Sequence, residues 1–249
     1  MASPDLDLWL QRLAPADADA PLVLFFPYAG GSASFFLPAA RTLRGHAEVL
    51  AVQYPGRQAR HRERPIDDLH DLADAVFAVL PDLSRRPVIL FGHSMGAVLA
   101  YEVARRLEAD PGVIAHRLFA SGRRAPSCHR DEKVHLGNDQ EIVAEVRRLG
   151  GTDERVLNDP EILRMVLPAV RADYRAIETY RHRDGPELRC PVSVLIGDKD
   201  PLTTLAEAHN WSRHSTEPVE VTVFDGGHFF LTEHGPQVTG AVLASLPAR

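Results

Sequence analysis

Continuous apolar runs and helical repeats alternate along the first half of the chain. Leu22-Val23-Leu24-Phe25-Phe26 is apolar throughout, the pattern of a strand buried on both faces of a parallel sheet. It ends in Pro27-Tyr28-Ala29-Gly30-Gly31-Ser32, a loop rich in residues that free the backbone. A helix is expected through Phe36 to Leu43, then a strand at Val49 to Val52 closed by Tyr54-Pro55-Gly56, then a charged loop from Arg57 to Pro65. Leu69, Leu72, Ala73, Val76, Phe77, Val79 and Leu80 mark one face of a helix across Asp67 to Leu83. A strand at Val88 to Phe91, a helix from Met95 to about Leu107 and a short strand at Leu118 to Ser121 follow. This order predicts an α/β protein, with a mostly parallel sheet and helices on both faces.

The rhythm breaks from about Ser127 to Glu187. That stretch is charged and helical in pattern, with Glu141 to Leu149 and Pro160 to Tyr180 as its best helices. Strand patterns resume at Pro191 to Ile196 and Val219 to Phe224, and a last helix is expected from about Pro236 to Leu246. A helical insertion between two strands of one sheet is well placed to cover a site. The expectation is one domain over 1–249 with a lid subdomain inserted at about 127–187. The plainer alternative is a set of ordinary packing helices. Val, Leu and Met residues of the insertion suggest an apolar chamber beneath it.

Composition narrows the class. The 249 residues are 45% hydrophobic and 25% charged, as in ordinary globular proteins. A net charge of −6 argues against general nucleic-acid binding. No apolar run is long enough to cross a bilayer, and the N-terminus has no basic-then-apolar leader, so a cytoplasmic location is expected. Cys128 and Cys190 are too few for a disulfide framework. The chain has no Cys-x-x-Cys or His-Glu-x-x-His, so no metal is expected. Lysine occurs only at Lys133 and Lys199, so nearly all positive charge sits on arginine forks, which suit phosphate and carboxylate.

The candidate chemistry centres on Gly92-His93-Ser94-Met95-Gly96, between a strand and a helix. This is the pattern of a nucleophile elbow, whose sharp turn lifts a serine hydroxyl above the sheet. Gly92 and Gly96 leave room where a Cβ would crowd the opposing backbone. The plainer alternative makes Ser94 a helix N-cap. A serine hydroxyl needs a base, and the base an orienting acid; after an elbow they follow in the order acid, then histidine. His228, in Asp225-Gly226-Gly227-His228, follows a strand and is the expected base. His93 is expected to pack or support, and His209, His214 and His234 to be solvated. Asp198 and Asp200 both follow the strand ending at Ile196; Asp200, farther along, has room to turn toward the histidine and is preferred. The Met95 N–H, at a helix start, is one expected oxyanion donor. The second is assigned to Ala29, with Tyr28 as the runner-up. The reaction class is acyl transfer to Ser94 and then to water, from an ester or a thioester.

The chain resembles the type II thioesterases, the free-standing editing enzymes of polyketide and nonribosomal peptide synthesis, within the α/β-hydrolase fold. The matching stretches are Phe26-Pro27-Tyr28-Ala29-Gly30-Gly31-Ser32-Ala33, Val52-Gln53-Tyr54-Pro55-Gly56-Arg57 and Phe91-Gly92-His93-Ser94-Met95-Gly96-Ala97. Gly197-Asp198-Lys199-Asp200 and Gly227-His228-Phe229-Phe230-Leu231 complete them. Members often have Pro-His where this chain has Pro27-Tyr28. The resemblance implies the triad Ser94, Asp200 and His228, and no metal or dissociable cofactor. It also implies release of short or aberrant acyl groups from the phosphopantetheine arm of an acyl or peptidyl carrier protein. Such carriers are generally acidic. Arg57, Arg60, Arg62 and Arg64, with Arg123, Arg124 and Arg130 near the lid entrance, are therefore docking candidates, against the plainer reading of a solvated charged loop. A monomer that engages neither nucleic acid nor membrane is expected. Competing readings are a small-molecule carboxylesterase or lipase, a chain-terminating thioesterase, and a non-catalytic binding module.

Overall fold

A computed structural model describes residues 4–83, 86–109, 113 and 115–247. Its sheet has seven strands: β1 (Leu10–Ala14), β2 (Leu22–Phe26), β3 (Glu48–Val52), β4 (Val88–His93), β5 (Arg117–Ser121), β6 (Val192–Gly197) and β7 (Val219–Phe224). They lie in the order β1-β3-β2-β4-β5-β6-β7. All neighbours run parallel except β1, which pairs antiparallel with β3 at one edge. The chain order reverses direction across β2 and β4, and in open parallel sheets ligands bind beyond the carboxyl ends of strands at such a switch point.

The two faces of the sheet explain the continuous apolar runs. Leu22, Leu24 and Phe26 of β2 face one core together with Val98, Leu99 and Val103 of the Met95–Ala109 helix and Leu72 and Val76 of the Leu69–Ala78 helix. Val23 and Phe25 face the other core, against Ala40 and Leu43 of the Leu37–Leu43 helix and Val238 and Val242 of the Gly235–Ala244 helix. Every side chain of β2 is thus buried although neighbours point in opposite directions.

Between β5 and β6 lie helices at Asp139–Leu149, Glu154–Leu157 and Pro160–Thr179. The first starts with a capping box between Asn138 and Glu141, which satisfies two amides a helix start leaves bare. The third begins at Pro160 behind an Asp159 N-cap. Ile142, Leu167 and Val170 form a small core of their own.

Several short elements lie outside the expected pattern, among them the Pro4–Trp9 helix. β1 is new; in Leu-Gln-Arg-Leu-Ala only the ends are buried, so the run lacks both the continuous apolar signal and a clean alternation. The Leu205–His209 helix and the 3₁₀ turn Asn210–Arg213 are too short for a periodic signal. No helix among the described residues is long and apolar enough to cross a membrane. Both cysteines are free, with Cys190 buried.

Candidate active site

β4 ends at His93 and a helix begins at Met95, so Ser94 alone makes the turn. Its φ is +56°, a left-handed conformation that costs a non-glycine residue roughly 1–3 kcal/mol. The flanking glycines permit it. A Cβ on Gly92 would overlap the Gly96 carbonyl, and one on Gly96 would overlap the Phe26 carbonyl. The Ser94 N–H donates to the Ser121 carbonyl at 2.8 Å, which ties the turn to the end of β5.

Ser94 Oγ lies 2.9 Å from His228 Nε2. On the far side of the ring, His228 Nδ1 lies 2.9 Å from Asp200 Oδ2. A carboxylate only accepts, so Nδ1–H donates to Asp200 and Nε2 is left to accept the Ser94 O–H. The three residues are 8%, 2% and 8% exposed: the hydroxyl faces a cavity while the imidazole is shielded. Asp200 is held in turn, with Oδ1 accepting the Leu202 N–H at 2.9 Å. Asp198 has a different place: its Oδ1 accepts the Gly226 N–H at 2.8 Å and braces the loop carrying His228.

His93 is fully buried, with Nδ1 3.0 Å from Ser121 Oγ and its ring centroid 5.1 Å from that of His228. Burial, reinforced by the neighbouring His228, holds its pKa well below the ordinary value. It therefore stays neutral and adds no positive charge beside the triad.

The loop after β2 forms the opposite wall. Tyr28 and Ala29 line the same cavity as Ser94 and His228. The Met95 amide opens its helix, where no intrahelical acceptor exists. Tyr28 packs edge-on against Phe35 and Phe229, and its hydroxyl donates to the Gly151 carbonyl at 3.1 Å. It thus joins this loop to the helical insertion. Burial pushes the Tyr28 phenol up to about 12.

The cavity encloses about 470 Å³. The insertion contributes Val134, Val146, Leu149 and Ile177, but also Glu145, Arg148, Tyr174 and Glu178. An apolar chamber was the expectation; the lining is mixed, because charged positions on the inner sides of these helices pair with one another, as Arg148 does with Glu145.

The arginine expectation also needs correction. Arg57 is 7% exposed and bound to Asp173. Arg60 is 5% exposed, bound to Glu63 and stacked 3.9 Å over the Trp9 ring. Arg124 is sunk against Glu132, the Cys128 carbonyl and the Leu202 carbonyl. Arg123 is buried in the cavity wall, and Arg130 is paired with Glu207. Arg57, Arg60, Arg123 and Arg124 thus offer no open surface to a protein partner, whereas Arg62 and Arg64 are exposed. His214 is a second correction. Instead of being solvated it is buried, between the Tyr101 hydroxyl at 3.2 Å and Ser127 Oγ at 2.8 Å.

The Tyr54-Pro55-Gly56-Arg57 element braces the site from behind. Tyr54 donates to the Pro27 carbonyl at 2.9 Å. Arg57 donates to the Gly31 carbonyl at 3.1 Å. Gly56 turns between them with φ +84°, where an added Cβ would meet Pro65 at 2.6 Å. Asp173 completes the brace; its only mark in the sequence is an acid among the apolar positions of a helix face.

A parallel sheet, an elbow serine at the end of a central strand and a Ser–His–Asp hydrogen-bonded chain define an α/β-hydrolase. The thioesterase domain model matches residues 21–246, and the chain belongs to the thioesterase family, hydrolases that act on thioesters. It is 51% identical over 238 residues to a protein of Streptomyces griseus described as a probable cadicidin biosynthesis thioesterase, covering 96% of this chain and 66% of that one. It is 45% identical over 235 residues to thioesterase PikA5 of Streptomyces venezuelae, covering 94% and 84%. The solved structure of BorB, the type II thioesterase from the borrelidin biosynthetic cluster, superposes with a TM-score of 0.89 at 48% identity, over 97% of this chain and 98% of that one.

Proposed function

We propose that Ser94, His228 and Asp200 are the catalytic triad of an editing thioesterase. It releases acyl groups from the phosphopantetheine arm of acyl or peptidyl carrier proteins and so frees stalled polyketide or nonribosomal peptide synthases. The observation that carries this reading is the unbroken chain from Ser94 Oγ through His228 to Asp200, with 2.9 Å at each step. The relatives, among them a type II thioesterase of a biosynthetic cluster, supply the substrate class.

In the reaction, Ser94 Oγ attacks the thioester carbon and its proton passes to His228 Nε2. Asp200 holds the tautomer and stabilises the imidazolium. The Met95 and Ala29 amides receive the oxyanion; losing one such donor typically costs about 2.7–4 kcal/mol. The carbon–sulfur bond breaks, and the pantetheine thiolate leaves with the His228 proton. A thiol has a pKa of about 8.5, so its thiolate departs with less help than an alkoxide. Water, deprotonated by His228, then attacks the acyl-serine ester and restores the enzyme. Residues 127–187 act as the lid. Arg62 and Arg64 remain for contact with an acidic carrier, and the protein works as a cytoplasmic monomer.

The test is a panel of acyl-loaded carrier proteins followed by intact mass. Loss of the acyl group with wild type and retention with Ser94→Ala is expected. Equal release by both proteins, or no release by wild type, overturns the reading. Faster turnover of an oxygen ester than of the matching acyl-pantetheine thioester would instead favour an esterase.

A further inference from the structure

One turn of the helical insertion touches both of the loops that would act on the thioester. It is Gly150-Gly151-Thr152, after the Asp139–Leu149 helix and before the Glu154–Leu157 helix. The Tyr28 hydroxyl donates to the Gly151 carbonyl at 3.1 Å, across 123 residues of sequence. Phe229 presses on the same residue, since a Cβ on Gly151 would overlap its ring. Tyr28 and Phe229 also pack edge-on, with centroids 4.7 Å apart. Tyr28 immediately precedes Ala29, and Phe229 immediately follows His228.

The turn is built for this contact. Gly150 and Gly151 both have φ +83°, a left-handed conformation that side chains enter only at a cost. Gly151 needs the space as well: a Cβ on Gly150 would meet nothing within 4 Å, whereas one on Gly151 runs into Phe229. The Tyr28 ring is also confined from behind. Phe35 packs edge-on at 5.0 Å, and a Cβ on Gly31 would meet the ring at 3.0 Å. The insertion grips the same loop a second time, where Asp173 Oδ2 accepts the Gly30 N–H at 2.7 Å. Ala29 therefore sits between two anchored neighbours, Tyr28 tied to Gly151 and Gly30 tied to Asp173, and both anchors lie in the insertion.

We propose that Tyr28 is a positioning residue: through its hydroxyl the Gly150-Gly151 turn holds the Ala29 amide in place to receive the oxyanion. This rests on the thioesterase reading above and deepens it, because it makes the insertion part of the catalytic apparatus as well as a cover. A donor stabilises a developing charge most when it is aimed beforehand and needs no reorganisation during the reaction. The Asp173 anchor alone fixes only one side of Ala29. Closing the turn onto Tyr28 fixes the other, and the Phe229 contact sets the loop of the base in the same movement.

The test uses butyryl-pantetheine hydrolysis. Tyr28→Phe removes the hydroxyl and keeps the ring. Its kcat should fall about fivefold, the usual worth of one neutral hydrogen bond, with KM little changed because the loss falls on the transition state. Amides of 150–153 should exchange hydrogen about fivefold faster in this variant, while those of β2 stay protected. Gly150→Ala and Gly151→Ala carry the same backbone strain, but only the second displaces Phe229. Gly151→Ala should therefore lose about tenfold or more in kcat beyond the loss in Gly150→Ala. Joined with Tyr28→Phe it should lose little further, because both changes open one contact. Equal kcat losses at 150 and 151 would overturn the proposal, and so would losses that multiply in the double variant. If Gly151→Ala does not fold, Tyr28→Phe decides alone: wild-type kcat would refute the positioning role, and a loss carried by KM would make the hydroxyl a substrate contact instead. A wild type that cleaves no acyl-pantetheine removes the parent reading; an active wild type matched by Tyr28→Phe removes this inference only.

Discussion

Arg57 grips Asp173 through both ends of its fork, Nη1 to Oδ2 at 2.6 Å and Nη2 to Oδ1 at 2.8 Å, although 116 residues separate them. The same Asp173 Oδ2 accepts the Gly30 N–H at 2.7 Å. One buried ion pair therefore holds together the loop after β2, the Tyr-Pro-Gly-Arg turn and the long Pro160–Thr179 helix. Removing one partner leaves a buried charge with nothing to face, which typically costs about 3–5 kcal/mol. Arg57→Ala should lose that much stability in urea unfolding, and its kcat should fall because the loop carrying Ala29 loses its anchor. The apolar pair Arg57→Met with Asp173→Leu should recover most of the stability but not the kcat. A single variant within about 0.5 kcal/mol of wild type would mean that the pair is solvated and not structural.

Asp198 and Asp200 sit two residues apart and do different work. Asp200→Asn should lower kcat by on the order of 10⁴, because an amide can present its N–H to Nδ1 and hold the wrong tautomer. Asp198→Ala removes the oxygen that accepts the Gly226 amide and should cost about 1 kcal/mol of stability, with only a modest kcat change. Steady-state kinetics on both variants separates the roles. The reverse ranking would reassign the acid.

Much of this was legible because the constraints are local. The elbow needs small residues two positions either side of Ser94, and the sheet needs apolar residues on consecutive positions of β2 and β4. Both leave marks in the sequence within ten residues. The loops bearing Asp200 and His228 could be placed by strand order alone. Arg57 could not be read correctly, because an arginine's burial depends on a partner that only the fold delivers, here Asp173. His214 fails for the same reason; its partners Tyr101 and Ser127 come from two other segments. β1 escaped because an edge strand pairs on one side only and needs little apolar character to persist.

Gly122 follows β5 with φ +60° and lies against both histidines. Gly122→Ala forces a left-handed alanine, at roughly 1–2 kcal/mol, and drives a methyl toward His93 Cε1 at 2.6 Å. The His93 ring must shift, and it lies beside that of His228. A fall in kcat of about tenfold or more is expected, since small displacements of aligned groups are costly, with KM changing little. Thermal unfolding should report the strain separately. Full activity in a destabilised variant would show that His93 yields without disturbing the base.

His214 makes stability depend on acid. Burial, then the neighbouring His182, then Arg105 and Arg213, push its imidazole down to about 4, against a pull from Glu102. The unfolded chain restores it to about 6.5. The depressed group favours the unfolded state once that state can take the proton, so its contribution is intact above pH 6.5 and shrinks as pH falls toward 4. His93, buried and likewise depressed, adds to the same slope. Melting temperature should therefore drop across this window. His214→Gln keeps a polar side chain between Tyr101 and Ser127 but cannot titrate. It should be less stable at pH 7, and its melting temperature should fall less steeply between pH 6.5 and 4. An unchanged slope would assign the acid sensitivity to other groups and show that His214 reaches solvent before the fold opens.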